Sequence, residues 1–231
     1  MSVAEAHHRD ITGGWLRPAV FGVMDGLVSN AALIAGVVGG GASASTVAIT
    51  GLAGLAAGAF SMATGEYTSV RSQSELSLAE MEIERREIHR NAEAEERELA
   101  LLYESRGVEP GLAREAARQL HRDKEVAWRI HTREELGIDP DDLPSPWTAA
   151  ISSFVSFSLG ALVPLVPFLV GVPSLGLAVL LTVLALFTTG AVVAKLTARP
   201  WWYGGLRQLL LGGAAAGVTY TIGTLFNVTL G

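Results

Sequence analysis

The sequence predicts an all-α integral membrane protein with five transmembrane helices and a cytosolic helical insert between helices two and three. Three observations predict it. Long stretches rich in Gly, Ala, Leu and Val exceed what a soluble domain of 231 residues covers with polar surface. The charges are confined, because residues 72–142 carry 19 of the 23 acids and 11 of the 17 bases. Finally, the Lys and Arg residues outside that block alternate with the apolar spans so that all of them share one side, as positive charge in short cytosolic loops does.

In chain order, the first eighteen residues hold Glu5, His7, His8, Arg9, Asp10 and Arg17 and run into an apolar stretch with no small-residue cleavage pattern, so no signal peptide is read there. Crossing ~30 Å of hydrocarbon takes about 20 helical residues. Residues 18–39, 46–70, 147–170, 175–198 and 206–230 each meet that length. Between them lie Gly40-Gly41-Ala42-Ser43, the charged block, Gly171-Val172-Pro173-Ser174 and Pro200-Trp201-Trp202-Tyr203-Gly204. With the N-terminus inside, Arg9, Arg17, Arg71, Lys195, Arg199 and Arg207 all fall in the cytosol, and the outer loops and C-terminus carry no charge. The chain thus divides into residues 1–71, a cytosolic insert 72–142, and residues 143–231.

Within the spans, Gly51, Gly54 and Gly58 line one face of helix two, where a second helix can approach closely, from this chain or from a second copy. Pro164 and Pro167 lie inside helix three, where each removes a backbone hydrogen bond. The insert reads as helices: 74–90; a second from Asn91 to about Arg106 ended by Gly107; a third opened by Pro110; and a last one capped by Asp123 and closed by Gly137. Leu76, Met81, Ile83, Ile88, Leu99, Leu102, Tyr103, Leu120, Val126, Trp128, Ile130 and Leu136 supply a thin apolar layer.

With no cysteine, a disulfide framework, a thiolate metal site and a cysteine nucleophile are excluded, and any metal is held by carboxylate, imidazole or thioether. The net charge of −6 belongs largely to the insert, where acids exceed bases by 8, while the remainder is slightly basic, and this argues against nucleic acid. No nucleophile, base and orienting group stand at catalytic spacing, so no enzyme and no prosthetic group are expected.

Glu84 and Glu87 are three residues apart, as are Glu95 and Glu98, and His131 and Glu135 are four apart, so each pair projects from one helix face. Packed together they form an oxygen-rich set with one imidazole, suited to Fe(II) or Mn(II). The same glutamates also read as a solvated face with intrahelical pairs such as Glu93 with Arg97. In the spans, Asp25 and Glu66 are the only acids, and an ionisable group at such depth marks a functional site. Counted from Arg17 and Arg71, Asp25 and Met62 lie about 12–14 Å from the cytosolic face, with Glu66 one turn nearer. Ser29, Asn30, Ser61 and Thr64 offer polar lining. A carboxylate and a thioether together suit a first-row ion, although Met62 alone also reads as packing.

Asp25-Gly26-Leu27-Val28, Gly58-Ala59-Phe60-Ser61-Met62-Ala63-Thr64-Gly65-Glu66-Tyr67, the Ser72-Gln73 exit and Arg133-Glu134-Glu135-Leu136-Gly137 resemble the vacuolar iron transporter family. The resemblance runs from about Arg17 to the C-terminus. It implies a homodimer of five-helix subunits whose first two helices line an ion path, and a cytosolic platform of glutamates that collects metal. It places Asp25 and Met62 on the path, Glu66 at its cytosolic mouth, and Glu84, Glu87, Glu95, Glu98 and Glu135 on the platform. One departure stands out: where the family's last platform helix carries methionine, this chain has His131. The expected activity is export of cytosolic Fe(II) in exchange for protons, with Mn(II) as the closest alternative cargo. A non-transporting metal sensor or partner-binding membrane protein is the alternative from another class. The expected partners are lipid, divalent ions and protons, and an Arg- and Ala-rich chain without a transit peptide suggests a bacterial inner membrane.

Overall fold

The computed structural model describes residues 14–230. The signal-peptide reading, with Glu5, His7, His8, Arg9 and Asp10, lies outside them. Among the described residues there are eight helices and no strand: α1 (Leu16–Gly39), α2 (Ala44–Arg90), α3 (Ala92–Ser105), α4 (Pro110–Leu120), α5 (Lys124–Glu134), α6 (Pro146–Leu169), α7 (Leu175–Leu196) and α8 (Trp201–Leu230). Five of them, α1, α2, α6, α7 and α8, are long and apolar enough to cross a membrane. Backbone contacts divide the chain into two compact units, residues 69–145 and the remainder.

The second span differs from its expected limits, because α2 does not stop near residue 70 but continues to Arg90. The polarity changes there while the backbone does not. Residues 68–76 contain no Gly or Pro, and Arg71 pairs with Glu75 one turn on, at 2.7 Å. The last span also begins earlier, at Trp201, because Pro200 opens it by accepting from the amides of Tyr203 and Gly204.

The membrane unit is built on close backbone approaches. α1 packs mainly against α6 and α8, and α7 against α8. Gly26 shows why, since a Cβ there would fall 2.2 Å from the carbonyl oxygen of Phe157. The Gly51, Gly54 and Gly58 stripe of α2 is used within the chain: side chains at those positions would meet Leu165 and Ile34, Leu33 and Asn30, and Phe157. Asn30 is buried, and its Nδ2 donates to the Ala161 carbonyl at 2.6 Å, which ties α1 to α6. Its Nδ2 is thus engaged between the two helices, while its Oδ1 is buried without a partner. α6 continues uninterrupted through Pro164 and Pro167.

In the insert, the sequence signals at helix ends act as the chemistry dictates. Gly107 and Gly137 take φ of +94° and +66° after α3 and α5. Glu109 caps α4 by accepting from Leu112 N at 2.9 Å, and Asp123 caps α5 by accepting from Glu125 N at 2.9 Å. Two small apolar clusters hold the helices. Met81, Ile88, Ala127 and Trp128 form one, and Leu99, Ala100 and Ala117 form the other. Leu76, Ile83 and Val126, expected in this layer, are exposed. The Trp128 indole N–H donates to the Met81 carbonyl at 2.9 Å, and Arg85 lies over the same ring.

Candidate metal-binding site

α2, α3 and α5 each contribute to one polar cluster inside the insert. Glu84 comes from α2, Glu95 from the first turn of α3, and His131 from the last turn of α5, with Glu135 at that helix's C-cap. The i, i+4 spacing puts His131 and Glu135 on one face. His131 is completely buried, and Glu84 and Glu95 are 6% and 7% exposed. His131 Nδ1 lies 2.8 Å from Glu135 Oε1, 3.0 Å from Glu84 Oε1 and 3.9 Å from Glu95 Oε2. One ligand atom each of Glu84, Glu95 and His131 falls within 4.8 Å of the others, the separation a single ion spans.

The distances suggest hydrogen bonds, but the angles do not support them. Both ring nitrogens of His131, Glu84 Oε1 and Glu135 Oε1 are buried without a hydrogen bond of acceptable geometry. Contacts bent in this way contribute little, since hydrogen bonds weaken steeply with angle. A buried polar atom left so costs about 1–3 kcal/mol. A divalent cation among these atoms satisfies several at once, and the donor set of carboxylates with one imidazole fits a borderline first-row ion.

The electrostatics carry the same strain. Burial, with the like charges of Glu84 and Glu98 behind it, pushes Glu95 up to about 7, against the opposing pull of His131. Burial likewise raises Glu135. For His131, burial favours the neutral ring, but Glu84 and the charges of Glu135 and Glu95 together outweigh it and hold its pKa above the usual value. Glu87 and Glu98 are exposed, so each sequence pair splits into one inward and one outward carboxylate. The Glu93–Arg97 pair does not form among the described residues; the surface pairs include Arg85–Glu125, Arg106–Glu134 and Arg133–Asp139.

His121 escaped the sequence reading. It caps the C-terminus of α4, and its ring stands edge-on to that of His131, with centroids 5.1 Å apart. Its Nδ1 donates to the Ala117 carbonyl at 3.0 Å, which leaves Nε2 as a buried acceptor with no partner. Burial lowers its pKa, so the ring stays neutral. A lone histidine without an i+4 partner gives no spacing signal, and only tertiary packing brings it to His131.

The membrane candidates are not gathered in the same way. Asp25, Met62 and Glu66 are each partly buried, and among the described residues no hydrogen bond or ion pair reaches Asp25 or Glu66. Met62 packs against the cluster of Ala59, Phe157 and Ala161. Ser29, Ser61 and Thr64 are exposed.

Comparison with known proteins identifies the family. The sequence model described as the VIT family matches residues 16–224. A vacuolar iron transporter of Acanthamoeba castellanii is 39% identical over 226 residues, covering 95% of this chain and 78% of that protein. Vacuolar iron transporter 1 of Eucalyptus grandis is 32% identical over 94% of this chain and 87% of its own length, and that of Arabidopsis thaliana 31% over 80% and 76%. A match spanning nearly every described helix, with relatives similar over most of their lengths, makes this chain a member of the VIT family, a membrane-protein family of iron transport.

Proposed function

We propose that the chain exports Fe(II) from the cytosol in exchange for protons, as a homodimer whose insert collects the ion on the cytosolic side. The observation that carries this reading is the buried cluster of Glu84, Glu95, His131 and Glu135, whose inward atoms lack partners, in a chain whose relatives are named iron transporters. Glu87 and Glu98 form the outer rim that draws the cation in. Asp25, Met62 and Glu66 form the path, and a second copy completes it, because in one chain α1 turns its close contacts to α6 and α8. Cytosolic placement of the insert rests on Arg17, Arg71, Lys195, Arg199 and Arg207 sharing one side. A bacterial inner membrane is supported by composition alone, whereas the named relatives are vacuolar.

The test is metal uptake by inside-out vesicles containing the full chain, with and without an inward-acid pH gradient. Fe(II) uptake that accelerates with the gradient and dissipates it is expected. Uptake of Mn(II) in clear preference to Fe(II) would move the cargo to manganese. No metal movement, with metal binding intact, would favour a sensor.

A further inference from the structure

From Leu143 onward the chain contains no Asp or Glu, yet it carries Lys195, Arg199 and Arg207. All three lie where α7 ends and α8 begins, at the margin of two apolar spans. The turn is held by its own backbone. Arg199 N donates to the Ala194 carbonyl at 2.8 Å, closing α7, and Tyr203 N donates to the Pro200 carbonyl at 3.1 Å, opening α8. The two helices are locked together just inside the turn, because a Cβ on Gly204 would fall 2.4 Å from the Gly190 carbonyl oxygen. Thr197, Arg199, Tyr203 and Arg207 therefore stand around a cavity of about 190 Å³ floored by Ala194 and Gly204.

Among the described residues neither arginine has an ion pair. Two exposed guanidinium groups thus line one small cavity, with no Asp or Glu from residue 143 onward to pair with them, and the cavity between them suits an anion. Trp201 and Trp202, which precede the lining residue Tyr203 in sequence, are 51% and 54% exposed, and such aromatic pairs sit at the headgroup level of a membrane.

We propose that this cavity seats the phosphate group of an anionic phospholipid. Guanidinium forks bind phosphate oxygens in pairs, and the Tyr203 hydroxyl adds a further donor. Free inorganic phosphate shares that chemistry. The lipid is favoured by position, since the cavity opens at the end of two apolar helices beside a tryptophan pair, where headgroups are held at high local concentration. The inference rests on the membrane placement of α7 and α8 and is independent of the cargo.

The experiment uses the full chain in nanodiscs of phosphatidylcholine alone or mixed with phosphatidylglycerol, reading lipid retained after detergent extraction by native mass spectrometry, together with the unfolding midpoint. Phosphatidylglycerol is expected to be retained and to raise the midpoint. The double variant Arg199→Gln/Arg207→Gln is expected to lose retention by about tenfold or more, and Lys195→Gln, outside the lining, to keep it. Should the double variant not fold, Arg199→Gln and Arg207→Gln singly carry the test, each with a severalfold loss. Equal retention in the arginine variants, or an equal loss in Lys195→Gln, overturns the seat in favour of diffuse surface charge. Inorganic phosphate that raises the midpoint equally in lipid-free detergent overturns the lipid as its occupant.

Discussion

His131 holds the position where neighbouring chemistry is most finely balanced, with three glutamate side chains within 4 Å of Nδ1 and no solvent exposure. If the cluster binds metal, its inward members carry more of the affinity than its rim. Glu84→Gln, Glu95→Gln and His131→Ala are each expected to weaken Fe(II) binding by about tenfold or more, since even outer-shell partners of a metal typically carry that much. Glu87→Gln and Glu98→Gln are expected to cost only a few-fold, because both side chains are exposed. Anaerobic calorimetry on the full chain in detergent reads both, and five equal, small effects would return the glutamates to a solvated face.

The same residues set a pH dependence. Glu95 is raised from 4.5 to about 7 and His131 also lies above its usual value, so the folded insert binds more protons than the unfolded chain across that window. The contribution of Glu95 and His131 to the stability of the metal-free insert is therefore fully present below about pH 4.5 and lost as pH rises through about 7. The protection of residues 69–145 against hydrogen exchange, taken relative to the intrinsic base-catalysed rate at each pH, is expected to be lower at about pH 7.5 than at about pH 5 without metal, and that drop to vanish with saturating Fe(II). Protection that rises with pH in the metal-free protein would contradict the burial of these carboxylates.

At the scale of elements, what was legible was the backbone's punctuation. Gly107, Pro110, Asp123 and Gly137 each fix a helix end by a local mechanism that needs no tertiary context, and each stands where the spacing put it. The break expected near residue 70 was read from a change in polarity, which alters the solvent a helix meets without interrupting its hydrogen bonds. Contacts between helices were less legible, because a glycine stripe looks the same whether it meets a neighbour or faces lipid. Gly26 and Gly65 separate the two cases. A Cβ at Gly26 would press on the Phe157 and Ala161 backbone, while at Gly65 it would meet nothing within 4 Å. Gly26→Ala is expected to destabilise by about 1–3 kcal/mol or more. Gly65→Ala is expected to be neutral or to stabilise by up to about 0.5–1 kcal/mol. Thermal unfolding midpoints in detergent compare them, and a marked loss in Gly65→Ala would mean that a second copy covers that position.

For the whole molecule, the five apolar spans were visible from length and charge alone, since hydrocarbon thickness dictates both. The inward half of the metal cluster was partly visible, because helical spacing pairs residues within a helix. Which member of each pair turns inward depends on packing between helices, and His121 joins only through that packing. The proposed ion path rests on an electrostatic cost rather than on geometry: Asp25 is a carboxylate in an apolar span without a partner among the described residues. A proton or a divalent cation relieves that cost, and the two cannot fully share one carboxylate, which is the basis of the exchange proposed above. Met62, packed on Phe157, contributes shape, and on the transport reading its thioether contributes preference for the softer ion.

The measurement that bears most directly on this account follows Fe(II) flux and lumenal pH together in proteoliposomes carrying the wild type, Asp25→Asn or Met62→Leu. Asp25→Asn keeps the size and cannot ionise, so it is expected to abolish iron flux and proton movement together, while Met62→Leu slows Fe(II) more than Mn(II). Near wild-type iron flux in Asp25→Asn would contradict the coupling of iron to protons at this residue.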